Sequence, residues 1–276
     1  MNTAVSYRKF TPSVEAIAHV WRNEIVSSET WAPVLGAKVS EAGGQAAGYF
    51  VTSGALRAFA KPSQKSDGIA RAAHEKIASD LAYELALPVP PVVLYDWGSP
   101  PLGEQQFVAM SLCPFGPAHK WDTVKAAKAD PQIAITLQPT ASAMVPFDTW
   151  VGNSDRANGG NLIVNQDTGG PHAAVRCAYI DFSYSLSHTW PASGSFANVN
   201  PVGLFPIEPA AIDNMALKDS VQRIETVSDE MIVSIVSRVP PEFLTQPQSE
   251  LIINGLKHRR ARVRDALRPL YPGAGL

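Results

Sequence analysis

The chain has 276 residues, 45% of them hydrophobic and 17% charged, with a formal net charge of −2 at pH 7. That length allows one or two domains with a sizeable core, and the near-neutral balance excludes a general nucleic-acid or membrane-surface binder, which would carry a basic excess. The two cysteines, Cys113 and Cys177, form neither a metal-type pair nor a disulfide framework, which fits a reducing cytoplasm.

At the N-terminus there is no apolar run of secretory type. No window reaches about 18 uninterrupted apolar residues, so no membrane span is expected. Val14, Ile17, Ala18 and Trp21 recur at helical spacing within residues 11–26. Residues 37–40, 47–52 and 56–61 then read as three antiparallel strands. The turn Glu41-Ala42-Gly43-Gly44-Gln45 joins the first two, and a tight Ser53-Gly54 hairpin joins the last two. In HEKIASDLAYELAL, residues Ile77, Leu81 and Leu85 with Ala78 and Ala82 form the apolar stripe of a helix. Pro88, Pro90 and Pro91 end it. Residues 92–95 and 106–110 predict two further strands, so the first half is a small antiparallel sheet with one helix. The second half is mostly helical. An apolar helix is expected at 131–150, a loop at 152–160, strands at 161–165 and 174–180, an irregular stretch at 184–206, and amphipathic helices near 208–238 and 247–270. The class is α+β in two lobes, 1–111 and 112–276, with the boundary near Ser111 to Gly116.

The most informative stretch is FDTWVGNSDRANGGNLIV at 147–164, followed by YIDFS at 179–183. An Asp, then an Asn opening a strand, then an Asp closing the next strand is the layout of a kinase catalytic loop and metal site. Mg²⁺ is a hard cation that takes oxygen ligands, and the Asn161 carbonyl and Asp181 carboxylate would supply them. Asp155 would accept or orient the proton of an attacking hydroxyl. Upstream, Lys61 ends the third strand, where an ammonium holds nucleotide phosphates. Glu75 on the next helix is its expected partner, with Asp80 and Glu84 as competitors. Gly43-Gly44 would let backbone approach phosphates closely. The strand carrying Met110 runs into Ser111-Leu112, where a hinge backbone would meet adenine.

FDTWVGNSDR with NLIV and IDFS resembles the catalytic region of HipA-like kinases and, more distantly, of phosphoinositide kinases. HEKIASDLAYELALPVPPVVLY resembles the HipA-like helix and the turn that follows it. The resemblance covers residues 35–185. It implies a two-lobed kinase fold with Lys61, Glu75, Asp155, Asn161 and Asp181 in the matching roles, and ATP and Mg²⁺ as cofactors. It also implies transfer to a hydroxyl, on the HipA-like pattern a protein Ser/Thr. Expected partners are ATP, a protein substrate and, as an open matter, a regulatory protein. There are departures. Asp155 and Asn161 lie six positions apart, against about five in the protein-kinase loop. Asn158 in the longer loop is a substitute ligand candidate, Ser183 stands where the metal motif carries Gly, and no GxGxxG loop is present. A pseudokinase that binds without turnover, or a lipid or small-molecule kinase, therefore stays open.

Other polar residues read as structural. Arg156 is expected to pair with a carboxylate, and Asp148 and Asn153 to brace the loop. Lys257, His258, Arg259, Arg260, Arg262 and Arg264 read as a solvated helix face, with Leu256, Val263 and Leu267 inward. His172 and His188 lack metal-ligand spacing, and both cysteines read as core residues.

Overall fold

The computed structural model describes residues 5–39, 48–63, 70–100, 106–116, 119–123, 131–165, 176–186, 199, 201–203, 205–206 and 211–276. The Gly43-Gly44 turn, His172 and His188 lie outside them.

Eight strands and seven α-helices are assigned among the described residues. Helix α1 is Pro12–Trp21. Strands β1 (Ala32–Val39), β2 (Gly48–Ser53) and β3 (Leu56–Pro62) come next, then helix α2 (Arg71–Glu84) and strands β4 (Val92–Asp96) and β5 (Phe107–Leu112). The five strands form one antiparallel sheet in the order β1-β2-β3-β5-β4. A two-residue strand, β6 (His119–Lys120), then pairs with β7 (Leu162–Asn165), which pairs with β8 (Arg176–Tyr179) in a second, three-stranded sheet. Between β6 and β7 runs the long helix α3 (Pro131–Val151). Helices α4 (Asn214–Thr226), α5 (Asp229–Ser237), α6 (Gln246–Arg260) and α7 (Val263–Leu267) complete the chain. No described helix is long and apolar enough to cross a membrane.

Several boundaries differ from the sequence reading, each for a local reason. Strand β1 begins at Ala32 rather than near 37, because Pro33 costs no ladder bond on an edge strand. Helix α2 begins at Arg71, one turn before the apolar stripe. Its N-cap, Ala70, carries no side-chain cap to announce it. The expected helix at 208–238 is two helices. Ser228 caps the second through its side chain to the Met231 N–H, while Asp213 caps the first through Met215 and Ala216. Residues 247–270 likewise divide into α6 and α7. Strand β8 ends at Tyr179, one residue before the expected 180, and positions 174 and 175 lie outside the described residues.

The core is one large apolar cluster that joins α2, α3 and the C-terminal helices. A second cluster lines the other face of the first sheet, with Tyr49, Val51, Ala58, Ala60, Met110 and Leu112 among its members. Helix α2 is unusual in being buried all round: every residue from Arg71 to Ala82 is buried. Its polar side chains are therefore paired. The Lys76 ammonium donates to the Trp21 carbonyl at 2.6 Å and pairs with Asp80 at 2.9 Å, and Arg238 of α5 lies 3.5 Å from the other Asp80 oxygen. Burial pushes the Asp80 carboxyl up to about 6, against the pull of Lys76.

The C-terminal basic string is not a uniform solvated face. Lys257 and Arg260 pair with Asp229, and Arg264 pairs with Glu225. Arg259 points inward and is buried. It donates to the carbonyls of Trp150 (2.7 Å) and Thr149 (2.6 Å), at the end of α3 where helical carbonyls lack partners. The Trp150 indole answers by donating to the Leu256 carbonyl at 2.9 Å. Gly152 follows with φ +68, and a Cβ there would sit 3.2 Å from the Arg259 guanidinium. The chain turns there toward Asn153 and Asp155. Arg259→Met should strand two buried carbonyls and cost about 1–3 kcal/mol. At about 2–4 °C per kcal/mol, Tm should fall by several degrees. A melting curve that superimposes on the wild type would remove Arg259 from the forces that set the end of α3.

Candidate active site

Residues Lys61, Glu75 and Asp181 converge. Lys61 sits near the end of β3, on the face opposite Ala58 and Ala60. Its ammonium lies 2.7 Å from Glu75 Oε1 of α2 and 3.0 Å from Asp181 Oδ1, just beyond β8. The competitors for Lys61 are engaged elsewhere, Asp80 with Lys76 and Glu84 with Arg22 at 2.6 Å. Glu75 Oε1 also accepts the Phe182 N–H at 3.1 Å, so one carboxylate holds both the sheet cation and the turn after Asp181. Asp181 itself adopts a left-handed backbone, φ 63, a conformation uncommon for a residue with a Cβ. The Ser183 hydroxyl donates to Asp181 Oδ1.

The charges are strongly coupled. Burial alone would pull the Lys61 ammonium down, but Asp181 and Glu75 outweigh it and raise it. Burial would likewise raise Asp181, and Lys61 and the Ser183 hydroxyl overcome it, holding the carboxyl well below the usual range. Glu75, deeper in the protein, is pushed up by burial and by the Asp181 charge, against the pull of Lys61.

The loop before β7 is a second rigid unit. Arg156 is buried and forks onto Asp148, Nε to Oδ2 at 2.7 Å and an η nitrogen to Oδ1 at 3.2 Å. Its other η nitrogen donates to the Asn161 carbonyl (2.9 Å) and the Ile180 carbonyl (3.1 Å). Arg156 thus spans both ends of the loop and the residue before Asp181, and is the structural cation that the sequence suggests. Asn153 donates to Asp148 at 3.1 Å and accepts the Asp155 N–H at 3.1 Å. Asn161 donates through Nδ2 to the Asp155 carbonyl and to Asp155 Oδ2, both at 2.9 Å. The Asn158 side chain accepts the Gly160 N–H at 3.0 Å and caps a 3₁₀ turn over Gly159–Asn161. The Ile180 N–H donates to the Asn161 carbonyl at 2.9 Å, which ties the Asp155–Asn161 pair to the strand end that carries Asp181.

Met110 is fully buried and Leu112 nearly so, in a cluster with Ala60, Phe115 and Ala178. The Leu112 N–H already donates to Pro91 and the Cys113 N–H to Arg57, so pairing in the sheet continues through Cys113. The first residues beyond it are Pro114, Phe115 and Gly116. Sequence reasoning missed this extension, and it missed the short strand β6. It also missed His74, whose buried ring reaches the Ser183 carbonyl. No spacing signal pointed to any of the three.

Among the described residues no three His, Cys, Asp or Glu side chains gather into a metal cage. An ion that shares its shell with phosphates needs only one or two protein ligands. The oxygens at hand fit that requirement: Asp181 Oδ1 is engaged by Lys61 and Ser183, which leaves Oδ2, and Asn161 directs Nδ2 at Asp155, which leaves Oδ1.

The small antiparallel sheet with helices α1 and α2, set against a mainly helical unit, is an α+β, two-lobed kinase-like fold. It is similar to the crystal structure of a Helicobacter pylori proinflammatory kinase, CtkA, with a TM-score of 0.60 and 16% sequence identity over 92% of this chain and 100% of that one. At that identity the likeness is one of fold. No protein-family model and no curated protein matches the sequence.

Lys61→Met should leave Glu75 and Asp181 facing each other without a cation, at a cost of about 3–5 kcal/mol at neutral pH. The sign with pH follows from the Asp181 shift. In the wild type its pKa is depressed, so its stabilisation is present above the unfolded carboxylate value and is lost only as pH falls toward its folded value. In the variant both carboxylates would be raised, so ionisation would favour unfolding as pH rises from about 4 to 7. Denaturant unfolding across that range should find the wild-type advantage widening with pH. An advantage that does not change with pH would overturn the coupling.

Proposed function

We propose that this chain is an ATP- and Mg²⁺-dependent kinase of HipA-like type that transfers the γ-phosphoryl group to a hydroxyl, with a protein Ser or Thr as acceptor. The observation that carries the proposal is the Lys61–Glu75–Asp181 cluster, tied through Ile180 and Asn161 to Asp155. The lobes are 1–111 and 112–276, and the apolar cluster around Ala60, Met110, Leu112 and Phe115 is assigned to adenine. Because the Leu112 N–H is engaged, the hinge backbone offered to the base is assigned to Phe115 and Gly116. The Gly43-Gly44 turn, outside the described residues, is assigned to the phosphates from the sequence alone.

In this reading Lys61, fixed by Glu75, holds the phosphates, and Asp181 and Asn161 hold Mg²⁺ through the oxygens named above. Bound Mg²⁺ supplies positive charge against the phosphate oxygens. Asn161 restrains one carboxylate oxygen of Asp155, which leaves Oδ1 for the acceptor hydroxyl. The hydroxyl oxygen bonds to the γ-phosphorus as the bond to the bridging β–γ oxygen breaks, and ADP departs. Asp155 orients the hydroxyl and takes its proton. A second reading, nucleotide binding without turnover, draws on Ser183, whose hydroxyl adds a second contact, beside Lys61, to Asp181 Oδ1 where a glycine would add none.

Mass spectrometry after incubation with ATP and Mg²⁺ should find phosphate on the chain or on an added protein. Asp181→Asn should weaken Mg²⁺-dependent nucleotide binding by calorimetry. Asp155→Asn should keep that binding and lose about 10²–10⁴-fold in transfer rate. Wild-type transfer by Asp155→Asn would withdraw the role of Asp155. Binding without transfer by any form, wild type included, would decide for the second reading.

A further inference from the structure

Helix α2 presents two successive side chains to the turn after β8. Glu75 accepts the Phe182 N–H. His74, fully buried, places Nδ1 3.2 Å from the Ser183 carbonyl oxygen. A carbonyl only accepts, so Nδ1 carries the proton and the tautomer is set. Immediately before these two anchors, Asp181 holds its left-handed backbone. Such a conformation is strained and persists only where the surroundings over-determine it. Ser183 is the residue that transmits the restraint. Its carbonyl is held by His74, its hydroxyl donates to Asp181 Oδ1, and its N–H lies 3.4 Å from the same oxygen.

We propose that His74 is a positioning residue that acts through Ser183 to orient the Asp181 carboxylate, which deepens the kinase reading and rests on it. If the His74 bond is lost, the Ser183–Tyr184 peptide loses its anchor on α2 while the Phe182 carbonyl stays held by Ser185, and the Ser183 hydroxyl is no longer fixed on Oδ1. Asp181 then keeps only Lys61 as a side-chain restraint. The residue it affects is the one assigned to Mg²⁺, so the consequence belongs to the metal-dependent part of nucleotide binding. A histidine that merely satisfies a buried carbonyl would affect stability alone.

The test is calorimetric ATP binding with Mg²⁺ and with EDTA. His74→Leu should weaken binding in Mg²⁺ by about 10–100-fold, the range for residues that orient metal ligands from behind, and leave binding in EDTA at the wild-type level. His74→Asn, whose amide nitrogen falls near the Nδ1 position, should restore it. Ser183→Ala, which removes the hydroxyl link but not the carbonyl bond, should shift Mg²⁺-dependent binding in the same direction as His74→Leu. Equal losses with and without Mg²⁺, no loss in His74→Leu, or failure of His74→Asn to rescue would overturn the proposal. Should His74→Leu fail to fold, a wild-type-like His74→Asn beside a weakened Ser183→Ala supports it, and any other pattern overturns it. A wild-type chain that binds no nucleotide in either condition overturns the kinase reading itself, and His74 falls with it.

Discussion

One buried ammonium joins the parts of this molecule. Lys61 comes from the sheet, Glu75 from the helix behind it and Asp181 from the turn after the second sheet, and all three meet within 3.0 Å. Two carboxylates on one cation leave a net negative charge, with Glu75 buried and Asp181 partly exposed. Coulomb attraction outweighs desolvation for Lys61 and Asp181, and falls short for Glu75. The residual charge is of the sign that a divalent cation would neutralise. The cluster therefore joins β3, α2 and the turn after β8 through one cation, and it leaves the second Asp181 oxygen outside these contacts.

The cluster is only as rigid as helix α2, and α2 is held from every side. Trp21 takes the Lys76 ammonium, α5 brings Arg238 to Asp80, and the segment before α1 lays Tyr7 and Arg8 against the end of α2 through the Ala86 carbonyl. A helix that swung outward would expose the Lys76–Asp80 pair in halves, and a buried charge without its partner is costly. This geometry fixes Glu75 in one place. It also explains why a helix with polar residues through its length is buried from Arg71 to Ala82.

Much of this was legible in the primary structure, and the rest was not for identifiable reasons. Lys61, Glu75, Asp155, Asn161 and Asp181 were visible because each sits at a fixed remove from an apolar strand or helix. Arg156 and Asp148 could be named as braces, but not what they brace: the Ile180 carbonyl is a backbone group 24 positions away, without a side-chain signature. His74 was invisible for the same reason, because its partner is the Ser183 carbonyl. The apolar stripe of α2 suggested one wet face. The elements that cover that face, α1 and α5, come from opposite ends of the chain, and no local period records them. Arg259 was misread as solvated because a helical wheel counts charge, and here the charge is consumed by two carbonyls of α3.

The loop between Asp155 and Asn161 shows how a departure in spacing is absorbed. With one residue more than the protein-kinase pattern, the chain could bulge or coil, and it coils. The Asn158 N–H returns to the Asp155 carbonyl at 3.2 Å, and the Asn161 N–H returns to the Asn158 carbonyl at 2.9 Å, so two turns follow one another. The extra length goes into the winding, and the Asn161 side chain still reaches Asp155. The coil needs room beside it. A Cβ on Gly159 would stand 2.9 Å from the Asp122 Cβ, closer than such atoms approach, so glycine there is dictated by the wall formed by the short helical turn after β6. The glycines that lengthen the loop in sequence are thus what allow it to stay compact in space.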